Sequence, residues 1–202
     1  MLKRALPFYS YILHPLFVPI YGTLLYFLLQ DPYFNFQQKY LILFQIIIIT
    51  LFIPISFYYL LQSLGKVDSV MISKLAQRKI PLLIQALLLI VLLTRSVTID
   101  RFPELFFFFL GGFVSTLITL LFLFCKIKAS IHMIGISSLT AFTIGLSIHN
   151  HLNVIPMIAF LILLNGIVGS SRLEMNAHTT KELVIGFFSG ILPQVLLWFL
   201  WL

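Results

Sequence analysis

The sequence predicts an all-α fold: a polytopic transmembrane helical bundle of six to seven spans. Three observations carry that reading. Hydrophobic residues make up 60% of the chain and charged residues 9%, whereas soluble domains carry roughly 25% charge. The apolar residues fall into seven runs, most of them close to the ~20 residues needed to cross a bilayer core. The charges gather between those runs rather than within them. A membrane β-barrel is disfavoured, because the runs are continuous and do not alternate. Connections are short, so residues 1–202 are expected to form a single integral membrane domain.

The first span covers about 8–29. Lys3 and Arg4 precede it in the manner of a signal peptide, yet no small-residue cleavage site follows and the run continues to Leu29. It is therefore expected to stay as a helix. His14-Pro15 and Pro19 interrupt it; prolines kink helices, and neighbouring membrane helices can satisfy the freed carbonyls. His14 has two readings, a functional group or, more commonly, a hydrogen-bonded packing residue. Asp31-Pro32 reads as a turn, and Tyr33 and Tyr40 suit an interfacial belt.

The second span, about 40–61, leads into the basic connector Gly65–Pro81. The third, about 80–97, ends near Arg95 and Arg101, both placed to snorkel. The fourth, about 104–124, contains Phe106-Phe107-Phe108-Phe109. Lys126 and Lys128 follow, and Ser130-Ile131-His132 opens the fifth, about 131–148. His149-Asn150-His151 forms the next turn. Two histidines invite a metal, but no acidic or cysteine residue adjoins them in sequence, so the ligand set is incomplete. The sixth span covers about 152–169 and the seventh about 183–202. Gly186 and Gly190 permit close helix packing, within the fold or between subunits.

The net charge of +7 belongs to juxtamembrane lysines and arginines and to anion-binding groups, not to nucleic-acid binding. Cys125 is the lone cysteine, which excludes an intrachain disulfide.

Three polar segments then stand out: 74–81, 126–132 and 171–182. Two spans separate each from the next, so all three emerge on one face, while His149 and His151 emerge on the other. Ionisable residues at a membrane edge are a functional site by default. Arg78 is the first choice for a phosphate ligand, with Lys74 and Lys79 as alternates, since Arg offers a planar fork of donors and Lys a compact charge. Plainer readings stand beside each segment. The connector obeys the positive-inside rule, Ser130 caps a helix, and Thr179 to Glu182 forms a capping box.

Ser171-Arg172, five residues, His178, three residues and Glu182 resemble the third signature of the type 2 phosphatidic acid phosphatase (PAP2) family, in which aspartate usually stands at the last position. Ala129-Ser130-Ile131-His132 resembles the second signature, Pro-Ser-Gly-His, at Ser130 and His132. The first signature, Lys, six residues, Arg-Pro, is matched at Arg78, with Met71 where the lysine would stand and the proline displaced to Pro81.

The resemblance spans residues 74–190. It implies a PAP2-like core and a lipid phosphatase that needs neither metal nor cofactor. The implied substrate is a phosphomonoester or pyrophosphate of a phospholipid or isoprenoid lipid in the bilayer. By the same resemblance His178 is the nucleophile that forms a phosphohistidine, His132 the general acid, and Glu182 the orienting carboxylate. Arg78 and Arg172 would bind phosphate, with Lys128, Lys74, Lys79 or Ser130 assisting. It further implies a bacterial inner membrane and a periplasmic site, whereas the lysines and arginines on the site's face favour a cytoplasmic one. Two other readings remain: an inactive relative that binds lipid or anions, and a transporter, for which the chain lacks an obvious repeat pair.

Overall fold

The computed structural model describes residues 2–30, 34–68 and 74–202, with side chains from Leu6 onward. The expected turn at Asp31-Pro32, the interfacial Tyr33, the side chains of Lys3 and Arg4, and Ser69–Ser73 of the connector, Met71 included, lie outside the described residues. Among those described there is no strand. The helices are α1 (Leu2–Ile12), α2 (Val18–Leu29), α3 (Phe36–Ile47), α4 (Ile53–Ser63), α5 (Lys79–Val91), α6 (Pro103–Phe124), α7 (Ile131–His149), α8 (Ile155–Glu174) and α9 (Thr180–Trp201). They combine into seven stretches long and apolar enough to cross a membrane. The chain is an all-α polytopic bundle and an integral membrane protein.

Two of the crossings are built from paired helices, and proline accounts for both. His14 is extended, with φ −65° and ψ 140°, the conformation that a following proline imposes. A 3₁₀ turn at Pro15–Phe17 then carries the chain into α2. The first span is thus two helices meeting at His14, not one kinked helix. In the second, a π turn at Ile48–Phe52 precedes Pro54, whose missing N–H cannot continue the α-helical ladder. The Thr50 hydroxyl donates back to Ile46 O at 2.8 Å.

The centre of the bundle is α7, with 67% of its membrane stretch buried. Small residues let its neighbours approach closely, as membrane helix packing requires. A Cβ on Gly186 would lie 2.6 Å from Ser130 O, so α9 presses its backbone against the start of α7. Ser138 Oγ donates to Gly190 O at 3.0 Å, and Ser115 Oγ of α6 donates to Ser189 O at 2.9 Å. The Gly186/Gly190 pair therefore serves packing within the chain. Phe108 and Phe142 stack with centroids 4.6 Å apart in the core. Leu87, Leu121, Phe160, Leu163 and Phe199 stay exposed on the periphery, where lipid would solvate them.

One boundary differs from expectation in a way that matters. The sixth span does not end near residue 169, because α8 runs on to Glu174. Ser171 and Arg172 continue the helix facing inward, both buried, so their polarity does not end it.

Candidate functional site

The three polar segments meet at one end of the bundle. Arg78 ends a 3₁₀ turn, Leu75–Arg78, and is buried. Its Nη1 donates to Ala129 O at 2.9 Å, which ties the connector to the residues before α7. Ser130 is the N-cap of α7: its hydroxyl accepts from Met133 N at 3.5 Å. Its own N–H donates to Glu182 O at 3.1 Å, joining the starts of α7 and α9. Lys128 Nζ donates to Ala177 O at 2.8 Å and stands 3.5 Å from Glu182 Oε2. Arg172 sits in the last turn of α8, with Nη1 3.6 Å from Met175 Sδ.

His178 precedes the N-cap of α9. Thr179 is that cap, and its hydroxyl accepts from Glu182 N at 3.4 Å. The Glu182 side chain accepts from His178 Nδ1 at 2.7 Å. The orienting and capping readings of this segment therefore hold together: the Thr179 hydroxyl caps the helix, and the Glu182 carboxylate, besides holding the imidazole, also accepts from the Thr179 backbone N–H.

These contacts assign the tautomers. A carboxylate only accepts, so His178 carries its proton on Nδ1 and a lone pair on Nε2. His132, buried in the first turn of α7, has Nε2 3.1 Å from Ser10 O. A carbonyl also only accepts, so Nε2 carries a proton there, and Nδ1 is the nitrogen left for proton transfer.

Electrostatics favour a neutral His178. Burial pushes its pKa down to about 4, and the charges of Arg78, Lys128 and Arg172 push the same way, against the hydrogen bond to Glu182. At neutral pH the Nε2 lone pair is available.

A cavity of about 470 Å³ opens beside these groups. Arg78, His132, Arg172 and His178 line its polar end, together with Tyr11 and His14. Its remaining wall is largely apolar, from Leu51, Pro54 and Tyr58 to Leu89 and Phe108. The helix from Arg78 to Leu89 spans about 16 Å at 1.5 Å per residue, so the cavity reaches well below the charged end. A site with cations and imidazoles at its head and a long apolar wall suits an amphiphile with an anionic headgroup.

Of the expected site residues, Arg78, Lys128, Ser130, His132, Arg172, His178 and Glu182 come together. Ser130 acts there as a helix cap. Lys74 and Lys79 do not join them. Lys74 is exposed and pairs with Asp68 at 2.5 Å, which holds the Asp68 carboxyl below its usual range. Lys79 is exposed, one position beyond Arg78 on the outer side, with Nζ 5.6 Å from the centre of the Phe124 ring. Sequence reasoning missed Ser10, whose hydroxyl lies 2.6 Å from that of Ser171, and gave His14 mainly to packing. A polar ring inside an apolar run, next to proline, was the available signal.

His149 lies at the opposite end, where the fold brings it the acidic neighbour that its sequence surroundings lack: Glu104 Oε1, 3.6 Å from Nε2. Among the described residues no group of three or more His, Cys, Asp or Glu side chains is placed to hold a metal ion. Comparison of the chain with protein-family models, curated proteins and solved structures finds no match.

Proposed function

We propose that this protein is a membrane-embedded phosphatase, similar to the PAP2 family, that hydrolyses a phosphomonoester or pyrophosphate of a phospholipid or isoprenoid lipid. The observation that carries the reading is the His178–Glu182 hydrogen bond. It leaves a neutral Nε2 lone pair at the head of a cavity lined by two arginines and a second histidine.

In this reading the arginines hold the non-bridging phosphate oxygens and stabilise charge that builds during transfer. His178 Nε2 attacks phosphorus, a P–N bond forms, and the bond to the leaving oxygen breaks. His132, protonated, gives its Nδ1 proton to that oxygen. Water then attacks the phosphohistidine and His132 Nδ1 takes a water proton. The P–N bond breaks, phosphate leaves, and both imidazoles return to their starting states. Glu182 holds the His178 tautomer throughout, as the carboxylate does in a Ser-His-Asp triad. The lipid chain lies against the apolar wall.

We further place the site at the periplasmic face of a bacterial inner membrane. Seven crossings then put the C-terminus in the cytoplasm, and a reporter fused at Leu202 that reads periplasmic would overturn the placement.

The test of function is phosphate release by purified, detergent-solubilised protein. Phosphatidate, phosphatidylglycerol phosphate, lipid A and undecaprenyl pyrophosphate form the substrate panel. Release from at least one, lost in His178→Ala, is expected. Lipid binding without release from any would leave an anion-binding protein in place of an enzyme.

A further inference from the structure

His14 occupies a position in this site that the three polar segments do not explain. It belongs to the first crossing, more than 60 residues before Arg78 in the chain. The break at His14-Pro15 opens the helix there, and the ring lines the same cavity as Arg78, His132, Arg172 and His178. Its ring meets that of His132 edge-on, centroids 5.2 Å apart and planes at 86°. The junction is anchored on both sides. Ser10 of α1 holds His132 through its carbonyl and Ser171 of α8 through its hydroxyl.

The tautomer of His14 follows from its own backbone. Leu16 N–H donates to His14 Nδ1 at 3.3 Å. Nδ1 therefore carries the lone pair, and in the neutral ring the proton is on Nε2. A neutral imidazole fixed in this way is a hydrogen-bond donor at Nε2. His14 shares the polar end of the cavity with Arg78, Arg172, His132, His178 and Tyr11, and an anionic oxygen is the acceptor that the two guanidiniums and the ring donor can share. Packing alone does not require a polar ring on a cavity wall.

We infer that His14 is a phosphate-binding residue, donating from Nε2 to a non-bridging oxygen of the substrate, so that the α1–α2 junction is part of the site. The inference concerns the anion and rests on the phosphatase reading only where turnover is measured.

The experiment has a binding arm and a turnover arm. In the first, inorganic phosphate is titrated into detergent-solubilised protein by calorimetry. His14→Ala is expected to weaken binding by about 10–100-fold, the usual worth of a hydrogen bond to a charged group. His14→Gln, whose amide N–H falls near the position of the ring Nε2, is expected to recover much of that loss. In the turnover arm His14→Ala raises KM by a similar factor with kcat within a few-fold of wild type, and His14→Gln again recovers it.

Unchanged phosphate affinity in a folded His14→Ala protein would overturn the inference, as would equal losses in the alanine and glutamine variants. If both variants fail to fold, wild-type protein labelled with ¹⁵N-histidine decides. An Nε2-protonated His14 whose signal moves on adding phosphate supports the inference, and one that stays still overturns it. A wild type that binds phosphate through His14 but releases none from any lipid sinks the phosphatase reading and leaves the anion site standing.

Discussion

Each end of the bundle holds a histidine beside a carboxylate, and the two pairs are built in opposite senses. At the far end Glu104 is the buried partner, its side chain 11% exposed, and His149 is 34% exposed. Tyr26 OH and Gln30 Nε2 both donate to that carboxylate, at 3.0 and 3.1 Å. At the near end His178 is the buried partner, its side chain 1% exposed, and Glu182 is 21% exposed. A buried carboxylate supplied by neutral donors from α2 and its C-cap Gln30 joins that helix to α6 and is satisfied where it stands. A buried imidazole with its carboxylate outside keeps a lone pair facing inward, into a cavity with arginines on its wall. The same residue types yield a tie at one end and, in the proposed reading, a nucleophile at the other. Burial order and the surrounding charges make the difference.

The largest expected contrast is between the histidines. His178→Ala should abolish turnover of both an alkyl phosphate lipid and p-nitrophenyl phosphate, because a nucleophile is needed whatever leaves. His132→Ala should cost the alkyl phosphate about 10²–10⁴-fold, the usual worth of acid–base assistance. It should spare much of the p-nitrophenyl phosphate rate, since nitrophenolate departs unprotonated. His149→Ala should change neither rate. Equal losses for both substrates in His132→Ala would move that residue from acid to phosphate ligand.

The carboxylates should separate along a different axis. Orientation of an imidazole by a carboxylate is worth up to about 10⁴ in serine-protease triads. Glu182→Gln is therefore expected to lower turnover by between about 10² and 10⁴ with little change in thermal stability. Glu104→Ala leaves the Tyr26 hydroxyl without its acceptor in a buried setting, a loss of about 1–3 kcal/mol, while Gln30 Nε2 keeps Asn150 Oδ1 at 3.3 Å. It should lower the unfolding temperature by several degrees while leaving kcat intact. A Glu104 variant that folds normally but loses activity would mean that the two ends are coupled, and the contrast drawn above would fail.

How much of this was legible in the chain depends on the range of the interaction. The seven crossings follow from apolar run length alone, and the parity of those crossings already puts 74–81, 126–132 and 171–182 on one face. The His178–Glu182 contact is also local, since a separation of four across a helix start brings the side chains together. What escaped is what tertiary packing decides. Ser171-Arg172 reads as the beginning of a loop, yet both face inward and α8 carries them to Glu174. His14 reads as a packing residue until the Pro15 break turns it into the wall of a cavity shared with residues of α4, α5, α6, α7 and α8. Glu104 and His149 lie 45 positions apart, and no local pattern pairs them.

A smaller effect concerns the protonation of His178. Its pKa is lowered to about 4, by burial first and by nearby cations second. The sign is that of a group whose neutral form is favoured. Above about pH 4 the ring keeps its lone pair, and below it the ring takes a proton and cannot attack phosphorus. Titration of ¹⁵N-labelled histidine should place the His178 midpoint well under the ordinary value near 6.5. Lys128→Met removes one of the cations and should raise it. A wild-type midpoint near 6.5 would mean that water reaches the ring, and the burial of the near-end imidazole would not set its protonation.

The smallest expected effect belongs to Lys74 and Lys79, and it is informative because it is small. Three cations lie within six residues. Side-chain chemistry ranks Arg78 first, and the fold separates it from the other two. Arg78 closes a 3₁₀ turn and points under the start of α7, where Ala129 O receives it. Lys79 begins α5 one residue later, a rotation of about 100° on a helix, and stands outside over Phe124. Lys74 is spent on Asp68 in solvent, where an exposed pair contributes little and salt screens it. Lys74→Ala and Lys79→Ala, singly or together, should therefore leave kcat and KM for a lipid phosphate within about twofold of wild type. Arg78→Lys should raise KM, because a point charge replaces a planar fork of donors. If either lysine variant raises KM as much as Arg78→Lys does, the phosphate is held further out along the connector than the cavity implies. The site would then extend to the membrane surface instead of ending at Arg78.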